Sequence, residues 1–371
     1  MNRTAFVAFY TVYPSNMGSS EVSSSFFETW KGQKKIFQIS HLKKINNKII
    51  DTQFIGKEKP IYKIFKIIPL VKKVKQFLLK NQKPTIIIEG PSWIGYSFIF
   101  FIIAKILIPK AFIIYHSHSI EYEIRKKNSN YFISFLTKII EKYIFQNVDL
   151  ATSVSIKEKK RINSLYNKET IIFPNGINLR KLQEKNKNIF LPRKYIFYSG
   201  SYLYRPNKQA IDLLNKFFMP KLVKKFPDLK LILTGGGYYN NHKWLINLGI
   251  ISKNYLVKVL RHSQLILTPI YEGYGTRVKI IEALMLGVPV ISSSKGIEGI
   301  EGIDHKSGVF KNPLVHQNKN ILLKYAKKVL KNNKLYKKNS KENKFKYIAT
   351  YNMTEIVKKF QFLVNKIRND Q

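Results

Sequence analysis

The feature that most narrows the fold is an alternation. Short apolar runs, AFVAFY, KIFQIS, TIIIEG and AFIIYHS, are separated by stretches of helix length: a helix from about Ser20, a basic helix, an apolar helix and a helix from Tyr131. A second series, YIFYSGS, LKLILTGGG, LILTPI and VPVISS, repeats the arrangement, with helices from Lys208 and around Glu282. Strands that all run the same way need crossovers, so strand–helix alternation predicts parallel sheets covered by helices. Two such series in 371 residues imply two α/β domains rather than one oversized core. The polar, lysine-rich stretch from Arg180 to Pro192 reads as the linker.

Charge narrows the partners. Lys and Arg number 65 against 22 Asp and Glu, a formal net charge of +43, and a field of that sign attracts anions. Lysine, isoleucine and asparagine are abundant together, as AT-rich coding sequence also produces, so part of the excess needs no partner to explain it. Basicity concentrates from Lys57 to Lys83, where nine lysines accompany one glutamate. Val71, Val74 and Leu78 recur there at helical spacing behind Pro69, predicting a basic amphipathic helix that starts at the proline. Such a helix suits an anionic membrane surface or, equally, an ordinary domain with a solvated lysine face. The aromatics form no RNP-like or zinc-finger pattern and no arginine-rich reading helix is present, which argues against nucleic acid as the partner.

Cysteine is absent, excluding disulfides, thiolate nucleophiles and zinc–thiolate sites. Of seven histidines only His116 and His118 are close together, without a metalloprotease pattern or clustered carboxylates, so no metal cofactor is expected. The N-terminal MNRTAFVAFYTVYPS lacks a long apolar region and a cleavage site, and reads as a first strand. The best membrane-span candidate, Trp93 to Ile108, is interrupted by Lys105 and, at about sixteen residues, falls short of the ~20 that a bilayer requires.

The most informative segment is YEGYGTRVKIIEALMLGVPVISSSKGIEGIEG, Tyr271 to Gly302. Gly273 and Gly275 permit close backbone approach, and a helix starting near Thr276 aims unpaired N–H groups and its positive end at an anion such as a diphosphate. Glu282 lies on the same face as Val278, Ile281 and Met285, where a carboxylate needs a partner: either two adjacent sugar hydroxyls or, as the plainer alternative, Lys279 or Arg277.

The run from Gly275 to Gly299 resembles the donor-site segment of retaining family 4 glycosyltransferases (glycosyl transferases group 1), G-T-R-x-K-x-x-E-A-x-x-x-G-x-P-V-[IV]-x-[ST]. Many members also carry an earlier glutamate. Tyr274 stands at its position here, and Glu272, two residues before, could substitute only if the turn is remodelled. IIYHSHSIEYEIR resembles the family's H-N-I-E-Y-E element, with Ser119 in place of Asn, which implies that His118 contacts the transferred sugar and Glu121 supports the loop.

Other landmarks follow from the same resemblance. Gly18, in the loop after the first strand, falls where family members approach the donor diphosphate. SGSYLYRPNKQAIDLL resembles the first strand–loop–helix of the donor domain, making Arg205 and Lys208 candidate phosphate ligands in competition with Arg277 and Lys279; relatives place their basic residues earlier, where this chain has Ser201. LILTGGG puts Gly235 in the turn beneath the base. FPNGIN is the turn before the linker, with Asn175 and Gly176 suited to positive φ. YNMTEIVKKFQFLVNKI carries Ile356, Phe360 and Leu363 on one helical face and resembles the closing helix.

The resemblance implies an α/β GT-B fold: two Rossmann-like domains facing a central cleft, acceptor-side 1–185 and donor-binding 190–345, with 346–371 returning to the first domain. It implies a retaining, metal-independent hexosyl transfer from a nucleotide-diphosphate sugar to a glycan or lipid-linked acceptor. His118 and Glu282 are the expected catalytic pair, and Gly18, Arg205, Lys208, Gly235, Glu272, Gly273, Tyr274, Gly275, Thr276, Arg277 and Lys279 the expected donor ligands. The expected setting is the cytoplasm, peripheral on the inner face of the membrane, in cell-envelope polysaccharide or lipopolysaccharide synthesis. The alternatives are a GT-B nucleotide-sugar epimerase or a non-enzymatic polybasic protein binding membranes or nucleic acid.

Overall fold

The computed structural model describes all residues except 1–2, 16–17, 43, 57–61, 80–82, 91, 184–189, 304–311 and 371. The chain divides into two compact units, Met1–Gly176 with Met353–Gln371, and Ile177–Asn352.

Among the described residues, unit 1 holds seven parallel strands: β1 (Arg3–Ala8), β2 (Gln33–Ser40), β3 (Ile50–Phe54), β4 (Thr85–Glu89), β5 (Phe112–His116), β6 (Leu150–Ser153) and β7 (Ile171–Ile172). Their order is β3-β2-β1-β4-β5-β6-β7, with Phe6 beside both Ile36 and Ile87. β4 and β5 are buried at every position, the pattern of strands covered on both faces. Helices α1 (Gly18–Thr29), α2 (Lys63–Leu78), α3 (Ile94–Leu107), α4 (Glu121–Asn128), α5 (Tyr131–Asn147) and α6 (Ile156–Tyr166) make the crossovers. α2, α3 and α5 share one core cluster through Val71, Val74, Phe100, Ala104, Ile144 and Phe145.

The described residues of unit 2 form six parallel strands: β8 (Tyr195–Ser199), β9 (Lys230–Thr234), β10 (Leu245–Asn247), β11 (Leu265–Thr268), β12 (Val290–Ser292) and β13 (Leu314–Val315), in the order β10-β9-β8-β11-β12-β13. Its helices are α7 (Arg205–Leu213), α8 (Met219–Val223), α9 (Lys253–His262), α10 (Val278–Met285), α11 (Lys319–Lys331) and α12 (Asn333–Tyr351). α13 (Met353–Asn369) returns to unit 1. There Phe360 meets Phe26, Trp30 and Phe173 at ring-centroid distances of 6.1, 6.3 and 4.9 Å, and Arg368 Nη1 donates to Thr85 Oγ1 at 2.9 Å.

Several sequence expectations are corrected. α2 begins at Lys63, so Pro69 lies inside the helix rather than at its start. The buried face continues upstream through Lys63 and Ile67, and Pro69 sits on the exposed side beside Phe65, whose carbonyl loses its helical partner where water can replace it. Part of that basic segment, 57–61 and 80–82, lies outside the described residues. Asn175 and Gly176 do not take positive φ. The chain there runs extended into Ile177, which bridges to Asn352 and donates to the Tyr351 carbonyl at 2.7 Å. The units accordingly divide at Gly176–Ile177, before the stretch Arg180 to Pro192, whose residues 184–189 lie outside the described ones. Leu182 is buried in the unit 2 core, its carbonyl accepting from Arg261 at 2.9 Å. α12 runs through residue 346, and the returning helix starts only at Met353. Glu121 opens α4, a helix not read from the sequence, and pairs with Arg125 at 2.7 Å.

Candidate functional site

In unit 2 the strand order reverses between β8 and β11, the place where open parallel sheets bind ligands beyond their carboxyl ends. The loops leaving β8, β9 and β11 carry the glycines. Gly235 has φ 115°, and a Cβ there falls 2.5 Å from the Gly200 carbonyl carbon, so the loops after β8 and β9 are in backbone contact. The Gly200 N–H donates to the Thr234 carbonyl at 2.8 Å and that of Tyr202 to Gly236 at 2.9 Å.

The loop after β11 leads into α10. Gly273 and Gly275 have φ of 105° and 71°, conformations open to glycine. Arg277 closes this turn from within: Nη1 donates to the Tyr274 carbonyl at 2.6 Å and to that of Gly275, and Nη2 to that of Glu272 at 3.2 Å. Its guanidinium thus holds the loop together. Arg277 is also the N-cap of α10, which starts at Val278 rather than at Thr276, and no side chain caps the first turn. Among the described residues the Thr276 hydroxyl is buried without a partner, as are those of Tyr271 and Thr234. Each such group costs roughly 1–3 kcal/mol until something bonds to it.

Lys279 Nζ lies 4.1 Å from the Tyr198 ring centroid and donates to Asn207 Oδ1 at 2.9 Å. Among the described residues no carboxylate pairs with it. Burial first, and the neighbouring Arg277 charge second, pull its pKa from 10.5 to about 7. An anion here would supply the missing counter-charge. Glu282 is 4% exposed, and one of its oxygens is ion-paired with Lys253 at the start of α9. The pairing with Lys279 or Arg277 weighed from the sequence does not form. Lys279 and Glu282 line one small pocket together with Tyr198, Ser199 and Thr268.

Arg205 and Glu272 make a two-point ion pair, Nε to Oε2 at 3.2 Å and Nη2 to Oε1 at 3.3 Å, both exposed. A pair in water is worth about 0–1 kcal/mol, so an arriving phosphate can displace it. Lys208 is exposed, its Nζ 5.5 Å from the Tyr202 ring centroid. Tyr274 has Lys295 Nζ 5.6 Å from its ring centroid.

In unit 1 the order reverses between β1 and β4. Gly18 opens α1, and a Cβ there meets nothing within 4 Å, so sterics do not demand glycine; residues 16–17 of that loop lie outside the described ones. His118 follows β5 and is buried beside His116, the ring centroids 4.4 Å apart. Both rings converge on a residue the sequence reading missed, Glu89, the last residue of β4. Its Oε2 accepts from His116 Nδ1 at 3.1 Å, His118 Nε2 at 3.0 Å and Ser23 Oγ at 2.5 Å, and Ser23 Oγ lies 2.6 Å from the Tyr10 hydroxyl. Burial pushes the Glu89 pKa up, but the two imidazoles outweigh it and hold the group well below the usual carboxylate range. Burial, and then His116, lower the His118 pKa. With Nε2–H committed to Glu89, neutral His118 offers Nδ1 as an acceptor for a hydroxyl. The clue in the sequence was an acid closing the apolar run Ile86–Ile88 of the strand TIIIE. The ligand atoms of Glu89, His116 and His118 lie within 4.8 Å of one another and could also hold a cation.

Residues 193–332 match the family described as Glycosyl transferases group 1. Among curated proteins no sequence matches. Solved structures are similar over nearly the whole chain. Sucrose-phosphate synthase from Thermosynechococcus elongatus is 15% identical, with 100% of each chain covered and a TM-score of 0.72. Anabaena HepE in complex with UDP and glucose is 11% identical, covering 98% of this chain and 99% of that one, with a TM-score of 0.70. WaaG, a glycosyltransferase involved in lipopolysaccharide biosynthesis, is 12% identical, covering 96% and 98%, with a TM-score of 0.67. At these identities the likeness is one of fold. The chain therefore has the GT-B fold, and its residues 193–332 carry the sequence pattern of the group 1 glycosyl transferases.

Proposed function

We propose that the protein is a retaining glycosyltransferase that moves a sugar from a nucleotide-diphosphate sugar to a glycan or lipid-linked acceptor of the cell envelope, working at the inner face of the cytoplasmic membrane. One observation carries the reading: within the family-matched segment, an ammonium with no carboxylate partner among the described residues and a buried carboxylate line one pocket beside a helix start that no side chain caps. In this reading the helix start and Lys279 hold the diphosphate, Glu282 accepts ribose hydroxyls, and His118 orients hydroxyls of the transferred sugar. Neutralising charge that develops on the departing diphosphate lowers the barrier more than any protein nucleophile, and no metal is invoked. HepE is described in complex with UDP and with UDP-glucose, which supports a uridine nucleotide as the first probe.

Calorimetric titration with UDP and GDP tests the assignment. Glu282→Ala and the better-packed Glu282→Gln should each lower the affinity of the preferred nucleotide by about tenfold or more. Wild-type affinity in both variants would reduce Glu282 to a structural partner of Lys253. Diphosphate release from a panel of nucleotide sugars, with EDTA present, then tests transfer without a metal.

A further inference from the structure

One helix of unit 1 is inside out along most of its length. Up to Glu141, α5 turns Ser134, Thr137 and Glu141 inward and leaves Phe132, Phe135, Leu136 and Ile139 in solvent, Phe132 being 71% exposed; only its last turns bury apolar side chains, Ile144 and Phe145. A helix packed on a core and facing water has the opposite pattern. Two of the inward groups have hydrogen-bond partners that settle the register: Thr137 Oγ1 donates to the Ile133 carbonyl at 2.7 Å. Glu141 accepts from the Glu121 and Tyr122 N–H groups at 2.7 and 2.9 Å and from the Tyr166 hydroxyl at 2.6 Å. Glu141 thereby caps α4, which is why a carboxylate lies beneath this helix.

The apolar surface continues onto the neighbouring helices. Tyr143 meets Phe98 of α3 at 5.5 Å between ring centroids. α3 exposes Ile106 to 72%, and α2, packed beside α3, exposes Phe65 to 70% together with Ile68. All three helices rest on one core cluster, so their outer sides form a single layer. Large apolar side chains exposed in this number, most of them on α5, mark an interaction site.

Charge identifies the occupant. Across α2, α3 and α5 the sole acid is Glu141, which is buried, whereas Lys66, Lys72, Lys75, Lys138 and Lys142 lie among the exposed apolar side chains. The last turn of α4 adds Lys126 and Lys127, Arg125 beside them being paired with Glu121. A second copy of this chain would bring the same positive charge and be repelled. Among the described residues no helix is long and apolar enough to cross a membrane, so a bilayer would be met at its surface rather than crossed.

We propose that the α2–α3–α5 layer of unit 1 docks on an anionic lipid bilayer, the α5 aromatics entering the headgroup region and the lysines facing lipid phosphates. This deepens the proposed function, on which the role of reaching a membrane-bound acceptor rests, while the docking itself stands on the exposure and charge pattern.

Sedimentation of the full chain with vesicles of phosphatidylcholine containing about a third phosphatidylglycerol is the test, with pure phosphatidylcholine for comparison. The protein should bind the anionic vesicles at least about tenfold more tightly than the neutral ones. Phe132→Ser/Phe135→Ser/Ile139→Ser should lose about tenfold or more of that binding. Because these side chains are in solvent, its Tm and UDP titration should match the wild type. The proposal is overturned if the wild type ignores both vesicles or the triple variant binds as well as wild type. It is also overturned if sedimentation velocity shows a dimer that the triple variant dissolves without any vesicle binding. Vesicle binding is read without nucleotide, so failure of the donor-site reading leaves this result intact.

Discussion

Lys279 concentrates the pH behaviour of the candidate site. Its pKa near 7 in the free protein reflects burial and then the Arg277 charge, and a bound diphosphate must raise it again. Between the free and bound values, binding therefore takes up a proton. Affinity should be greatest below the free-state pKa and fall as pH rises through it, by up to about one decade per unit until the bound pKa is reached. UDP titrations in two buffers of different ionisation enthalpy check this through the proton uptake. Lys279→Met should abolish the slope and weaken binding by about tenfold or more; an unchanged slope would assign the titration elsewhere. Glu282 and Lys279 were both readable from spacing and family pattern. Lys253, which occupies one oxygen of Glu282, was not, because α9 reaches α10 only through the shared unit 2 core. Glu89 was hidden for the same kind of reason: its partners come from α1, β5 and the following loop.

Elements were legible where periodicity was strong and ambiguous where packing chose the face. β4, β5, α10 and α13 follow directly from apolar runs and helical spacing. α5 was recognisable as a helix from Tyr131, with Asn130 as its N-cap accepting from Ile133 N–H at 2.9 Å, yet its periodicity could not reveal that the polar side faces in. The glycine loops show the converse case, in which a bare G-G-G has a defined steric reason. Gly235→Ala forces a Cβ onto the Gly200 backbone at positive φ, so it should cost more than about 1 kcal/mol and lower Tm. Gly18→Ala, where a Cβ meets open space, should leave Tm unchanged. Equal Tm for the two variants would contradict the close approach of the loops after β8 and β9.

At the scale of the whole molecule, the chain leaves unit 1 at Gly176 and re-enters it at Met353. α13 is thus part of the unit 1 core: Phe360 fills an aromatic group with Phe26, Trp30 and Phe173. Phe360→Ala should destabilise by about 3–5 kcal/mol, read by chemical denaturation, whereas Phe362→Ala, on the exposed side, should be close to neutral. Similar losses from both would mean that α13 is not docked this way. What the amino-acid order determined by itself was local and periodic: two strand–helix series, the glycine turns, the apolar face of the last helix and the segment matched to a glycosyltransferase family. Those properties depend on neighbours along the chain. The tertiary structure alone decided which distant group meets which: Lys253 on Glu282, two imidazoles on Glu89, Arg205 on Glu272, and the outward turn of α5's aromatics. A carboxylate's partner and a helix's buried side are set by packing between elements far apart in sequence, which residue spacing does not encode.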